Sequence, residues 1–312
     1  VATMLNFLCA VPILLITAPA LAQDVGTAAM TRPTFEPAPA TTQPAATTPT
    51  STMAADSTSP ATHTGFVEFL SNRLAAYEPI YFIGGPERPN VKFQFSLRYQ
   101  VINDDGPLAK AFPPIKGLNF AYSQTSFWDL QGESSPFLDT SYRPEVLLHY
   151  DEIVDPDKLK LFSRIGLQAG LQHESNGQEG LESRSVNYAY IRPMFTIGDR
   201  EDGGFFITLA PRAQIYIGDL SENPDIRKYR GYGDLRLIVG QSGGLQAALI
   251  GRLGNDWENG SIQLDLSYPL RKLLYGNVDL YLHLQAFNGY GESLIDYDES
   301  DTVVRAGVSL VR

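Results

Sequence analysis

From residue 91 to residue 312 the chain is written largely in period two, which restricts most of it to strands with one apolar and one polar face. Val91, Phe93, Phe95, Leu97 and Tyr99 oppose Lys92, Gln94, Ser96, Arg98 and Gln100. Val278, Leu280, Leu282 and Leu284 oppose Asp279, Tyr281, His283 and Gln285 in the same way. Strands are predicted at 91–103, 117–130, 141–150, 160–175, 183–198, 205–218, 228–240, 245–253, 261–270, 277–289 and 301–312, after a short first strand at 79–84. Residues 65–78 read as a short helix or an arm.

A soluble sandwich also alternates, but it buries the apolar faces between two sheets and turns the polar faces to water. Two features favour the reverse arrangement. Many segments exceed the roughly nine residues that a tilted strand needs to cross a bilayer, and a secretory leader precedes them. Their polar faces carry charges, among them Arg143, Glu145, Arg192, Arg212, Asp234 and Arg236, as a hydrogen-bonded lumen requires. The expected fold is therefore all-β, an antiparallel transmembrane β-barrel of about twelve strands. An even count returns both ends to the periplasmic side, so strand 160–175 runs outward and ends at the external rim.

Residues 4–22 have the apolar core and small-residue cleavage site (Ala20-Leu21-Ala22) of a signal peptide, assigned to 1–22. Residues 23–64 are rich in Thr, Pro, Ala and Ser and read as a disordered tether, leaving 65–312 as the barrel domain. The single cysteine, Cys9, falls in the leader, so neither a disulfide nor thiol chemistry is expected. A net charge of −11 argues against a nucleic-acid partner and suits a divalent cation.

The chemistry-bearing stretch is 165–187. Ile165, Leu167, Ala169, Leu171, His173 and Ser175 share one strand face, and a hairpin centred on Gly180 sets Asn187 opposite His173. Directly opposed Cβ atoms lie about 4.5–5.5 Å apart. A nucleophile, a base and a neutral amide are thereby placed on one greasy face, although a polar rim at the lipid boundary would look the same from these residues alone.

In several ordered blocks the chain resembles the outer membrane phospholipase A family. They include Val91 to Leu97, Tyr122 to Trp128, Ser134 to Phe137, His173 to Gly177, Ser183 to Asn187, Asn223 to Ile226 and Gly289 to Tyr297. The resemblance implies a Ser/His/Asn triad with Ser175 as nucleophile, His173 as general base and Asn187 orienting the imidazole. It implies Ca2+ as cofactor, held by the Gln178 carbonyl and Ser183 with Ser134 supplied by a neighbouring barrel. The family pattern has an Asp where this chain has Gly180, for which Glu179 or Glu182 would compensate. Glu174 replaces a typical Gln and, facing the lumen, is expected to matter little. Gln124 sits on the lipid face, where an amide lacks partners, and is assigned to a homodimer interface. The implied function is a calcium-dependent phospholipase A of the Gram-negative outer membrane, hydrolysing sn-1 and sn-2 acyl esters of glycerophospholipids and lysophospholipids as a dimer. The alternative is a barrel, channel or structural protein that kept the fold without the chemistry.

Overall fold

The computed structural model describes residues 73–312 apart from Leu159, Asp202 and Asn277, so the predicted signal at 1–22 and tether at 23–64 lie outside the described residues. Its strands are β1 (Leu74–Ala76), β2 (Ile80–Gly84), β3 (Val91–Gln100), β4 (Leu118–Trp128), β5 (Phe137–Tyr150), β6 (Arg164–Ser175) and β7 (Ser185–Gly198), followed by β8 (Phe205–Ile217), β9 (Gly233–Gln241), β10 (Gln246–Leu253), β11 (Gly260–Pro269), β12 (Tyr281–Tyr290) and β13 (Ser300–Val311). Neighbours pair antiparallel from β4 to β13. Pairing of β13 with β2, β2 with β3 and β3 with β4 closes the cylinder.

β1 and β2 share one edge of β3, at residues 97–99 and 91–94 respectively, so together they make one stave of a twelve-stave barrel. The predicted helix or arm is thus, in its described part, a strand. The unpaired end of β3 offers backbone partners that a short helix would leave unsatisfied. Between the two pieces the chain dips inward. The Tyr77 hydroxyl lies 3.4 Å from that of Tyr190, and Arg236 reaches Glu78 at 3.5 Å. Pro79 has no N–H for a ladder, and its carbonyl instead accepts Gln94 Nε2 at 2.8 Å.

Apolar side chains point outward and polar ones inward, as a barrel in lipid requires. On β6, Leu171 is 60% exposed and Glu174 only 6%. No described helix is long and apolar enough to cross a membrane. At the β6–β7 turn end, the 218–232 and 291–299 loops pack against each other and against β6 and β7. Leu220, Ile226, Leu294 and Tyr297 from these loops pack with Val186 and Tyr188 of β7 into a buried apolar cap.

The boundaries differ from expectation at several strand ends, three of them with a local cause in view. Residues 228–230 belong to a one-turn helix, Ile226–Arg230, because Gly231 follows with φ 59° and breaks the extended run. Residues 278–280 alternate without forming strand, and the Leu280 carbonyl accepts the Leu270 N–H at 2.8 Å instead. β5 starts earlier, at Phe137, through a register shift against β4 at Phe127/Trp128.

Candidate active site

The β6–β7 hairpin has the expected register, with His173 opposite Asn187 and Ser175 opposite Ser185. Gln172 and Glu174 line the interior, so alternation turns His173 and Ser175 to the outer wall. Asn187 Oδ1 lies 2.9 Å from His173 Nδ1. A carbonyl oxygen only accepts, so Nδ1 carries the proton and Nε2 is left as the free acceptor. No hydrogen bond joins the Ser175 hydroxyl to the imidazole among the described residues; the two lie roughly 6.5–7 Å apart along the strand rise, a gap their side chains must close.

Two asparagines fix the loop beyond Ser175. Asn176 accepts the N–H groups of Gln178 and Arg184 at 3.3 and 3.0 Å and donates to the Glu182 carbonyl at 2.8 Å. Asn223 brackets Ser185, accepting its N–H at 3.1 Å and donating to its carbonyl at 3.0 Å. Both asparagines lie within the blocks of family resemblance, yet their clamping role had no periodicity to reveal it. Arg184, next in the chain to Ser185, donates to the Leu181 and Ser183 carbonyls at 2.9 Å and so braces this loop.

Glu174, expected to matter little, is instead a buried hub. Its oxygens accept Arg230 Nη1 at 3.1 Å each, Ser141 Oγ at 2.7 Å and the Tyr188 hydroxyl at 3.4 Å. Arg230 also donates to the Ser293 carbonyl at 2.8 Å, which ties the capping loops to the strand between His173 and Ser175. The expectation failed because the partner comes from 56 residues away, beyond any local pattern.

The three oxygens assigned to calcium come from two loops. Gln178 and Ser183 share the loop after β6, whereas Ser134 is exposed in the 129–136 loop with φ 61°. Ser183 Oγ donates to Glu222 Oε1 at 3.0 Å, bringing in a carboxylate from the 218–232 loop that sequence reading missed. A site of hydroxyl, carbonyl and carboxylate oxygens fits a hard cation such as Ca2+. No three His, Cys, Asp or Glu side chains gather in metal-holding geometry among the described residues. Nothing lies within 4 Å of where a Gly180 Cβ would stand, and the loop has room for the acid it lacks. The rim beyond is anionic: burial and the charges of Glu299, Asp139, Asp301 and Asp298 push the Asp296 carboxyl up.

Gln124 also departs from expectation, since its amide does have partners. The Tyr122 hydroxyl donates to Oε1 at 2.9 Å and Nε2 donates to Ser126 Oγ at 3.2 Å. Position is informative: Gln124 pairs with Tyr142, and Tyr142 with Ser175, so amide and serine share one level of the wall, two strand spacings or about 10 Å apart.

A phospholipase A1 family model matches residues 72–310. The chain belongs to the phospholipase A1 family. It is 34% identical to phospholipase A1 of Escherichia coli (strain K12) over 228 residues, covering 72% of this chain and 70% of that protein. It is 33% identical to the Proteus vulgaris enzyme over 248 residues, covering 75% and 74%. The solved outer membrane phospholipase A of Escherichia coli superposes with a TM-score of 0.61 at 30% identity, over 76% of this chain and 98% of that one. A Salmonella typhi outer membrane phospholipase, described as a dimer with bound calcium, gives a TM-score of 0.61 at 29% identity over 76% and 91%. As a phospholipase A1 family member, the chain is an acyl ester hydrolase of the outer membrane built on a twelve-strand barrel, and the non-catalytic alternative is set aside.

Proposed function

We propose that this phospholipase cleaves acyl esters with Ser175, His173 and Asn187 from the lipid-facing side of the wall. Asn187 holds the Nδ1–H tautomer, Nε2 takes the Ser175 proton, and the freed oxygen attacks the acyl carbonyl. The imidazolium then returns that proton to the glycerol oxygen as it leaves, and a water activated by the same nitrogen releases the fatty acid. A neutral amide orients the ring without placing a carboxylate in an apolar surrounding, where its desolvation would be costly. The observation that carries this reading is the His173–Asn187 hydrogen bond of 2.9 Å on the outward face of β6, two residues from an outward serine.

Ca2+ bound by Gln178, Ser183 and Ser134 of a second copy would act as a Lewis acid toward the carbonyl oxygen. The calcium-bound dimer from Salmonella typhi supports that assignment, as does the oxygen donor set here. Glycerophospholipids and lysophospholipids are the proposed substrates, at both acyl positions. A homodimer docking at the level of Gln124 would turn a flat wall into a cleft beside Ser175. The signal at 1–22, the tether at 23–64 and the barrel domain at 65–312 are part of the same proposal.

The test is hydrolysis of phosphatidylcholine in mixed micelles by detergent-folded protein, with and without a chelator, alongside labelling by a sulfonyl fluoride. Loss of both hydrolysis and labelling in Ser175→Ala is the expected result. Undiminished turnover in that variant would assign the nucleophile elsewhere.

A further inference from the structure

The lumen behind the site encloses a cavity of about 180 Å³ whose wall carries more positive than negative charge. Four carboxylates line it, and each holds a cation. Glu78 meets Arg236 at 3.5 Å, Glu174 meets Arg230 at 3.1 Å, Asp234 meets Arg192 at 3.0 Å, and Glu292 meets Lys92 at 3.1 Å. Glu292 also serves Arg305, so it has no charge to spare.

Three further guanidiniums line the same space, and among the described residues none of them forms an ion pair. Arg143 donates to Gln94 Oε1 at 3.1 Å and Thr125 Oγ1 at 2.9 Å, Arg212 to Gln172 Oε1 at 2.9 Å, and Arg252 to the Gly291 carbonyl at 3.1 Å. Glu145 and Asp265 stand one residue removed, accepting Gln172 Nε2 and Gln263 Nε2 at 2.7 Å each, and offset at most two of the three charges. Of these three, Arg212 also has a buried Nε–H without an acceptor from the chain, a donor that an added ligand could satisfy. Water satisfies N–H groups but does not neutralise charge, and clustered uncompensated cations in a partly enclosed space are costly.

We propose that the lumen binds a small inorganic anion, a halide or an oxyanion of phosphate size, among Arg143, Arg212 and Arg252. The cavity exceeds the share of liquid volume of one water, about 30 Å³, several-fold, so it admits such an ion with part of its hydration. Bound there, the anion neutralises the wall beneath Glu174 and couples the stability of the site strand to anion concentration. This site is independent of the triad, and its failure would leave the hydrolytic reading intact.

The experiment uses folded protein in a nonionic detergent. Crystals soaked in bromide should give an anomalous peak inside the cavity, displaced by inorganic phosphate if the oxyanion is preferred. In urea, which adds no anion, bromide replacing the bulkier gluconate at constant ionic strength should lower the unfolding equilibrium constant about elevenfold at ten times its dissociation constant. Arg252→Gln should lose that response and Lys110→Gln, exposed on the short helix Pro107–Ala111, should keep it. Ordered water alone, with no anomalous signal in the wild-type cavity, overturns the proposal. So does an identical bromide response in the two variants.

Discussion

The two faces of β6 carry opposite kinds of polar group within four residues. Inward, Gln172 and Glu174 are fully engaged: Glu174 alone takes Arg230, Ser141 and Tyr188. Outward, His173 has one side-chain partner, Asn187, and Ser175 is half-buried beside it. Period two makes this division unavoidable, and it teaches where each property resides. The lumen supplies rigidity through charge-assisted bonds that span the cylinder, while the groups proposed for catalysis on the lipid face stay under-bonded and available.

The contrast is broken most sharply by removing the outward hydroxyl. Ser175→Ala should lower hydrolysis by at least about 10³-fold with no change in the unfolding midpoint, since the hydroxyl supports no packing. A variant that both unfolds more readily and hydrolyses less would show that the two faces are not separable. Inward, Glu174→Ala leaves Arg230 buried without its carboxylate and should cost roughly 3–5 kcal/mol of stability, read by urea unfolding in detergent. Glu174→Gln keeps the shape and should cost less, although it sits between the two reactive residues. Asn187→Ala comes next: releasing the imidazole from its tautomer should lower kcat about 10- to 100-fold while leaving unfolding within about 0.5 kcal/mol. If KM rises instead and kcat holds, Asn187 belongs to substrate binding and not to the ring.

Most of the barrel is legible in the sequence because a strand's face is set by its own alternation. Val91 to Gln100 and the 165–175 run each declare which side meets lipid, and the hairpin register follows from the position of Gly180. What escaped depends on partners far along the chain. Glu174 has a local pattern that says only "inward"; that it clamps Arg230 requires the 218–232 loop to fold back onto β6 and β7. Glu222 beside Ser183 is hidden for the same reason, since 39 residues separate them. Gln124 misled in the other direction. A lipid-facing amide in general lacks partners, but here the i±2 neighbours Tyr122 and Ser126 on that same face supply them.

Gly180 offers a way to sharpen the external side of the comparison. Its φ of 64° is one that Asp tolerates better than most residues, and the space around it is open. Gly180→Asp should add a carboxylate oxygen near Ser183 and lower the calcium concentration for half-maximal hydrolysis by about tenfold, with a chelator still abolishing activity. An unchanged calcium requirement would mean that Glu222 already fills that role.

The smallest effect is expected at Gln124, and it separates a wall that merely tolerates polar groups from one that uses them. The amide keeps one N–H and one lone pair beyond its bonds to Tyr122 and Ser126. A partner barrel therefore gains at most a short pair of bonds from each copy, and part of that gain is already present within the chain. Gln124→Ala should weaken calcium-induced dimerisation by only about 1 kcal/mol, several-fold in dissociation constant, with turnover per dimer unchanged. Sedimentation in density-matched detergent at graded protein concentrations measures it. A hundredfold loss of dimer would mean that the Tyr122 and Ser126 bonds are exchanged for intermolecular ones on assembly, placing this stretch of β4, level with Ser175, at the centre of the contact and not at its margin.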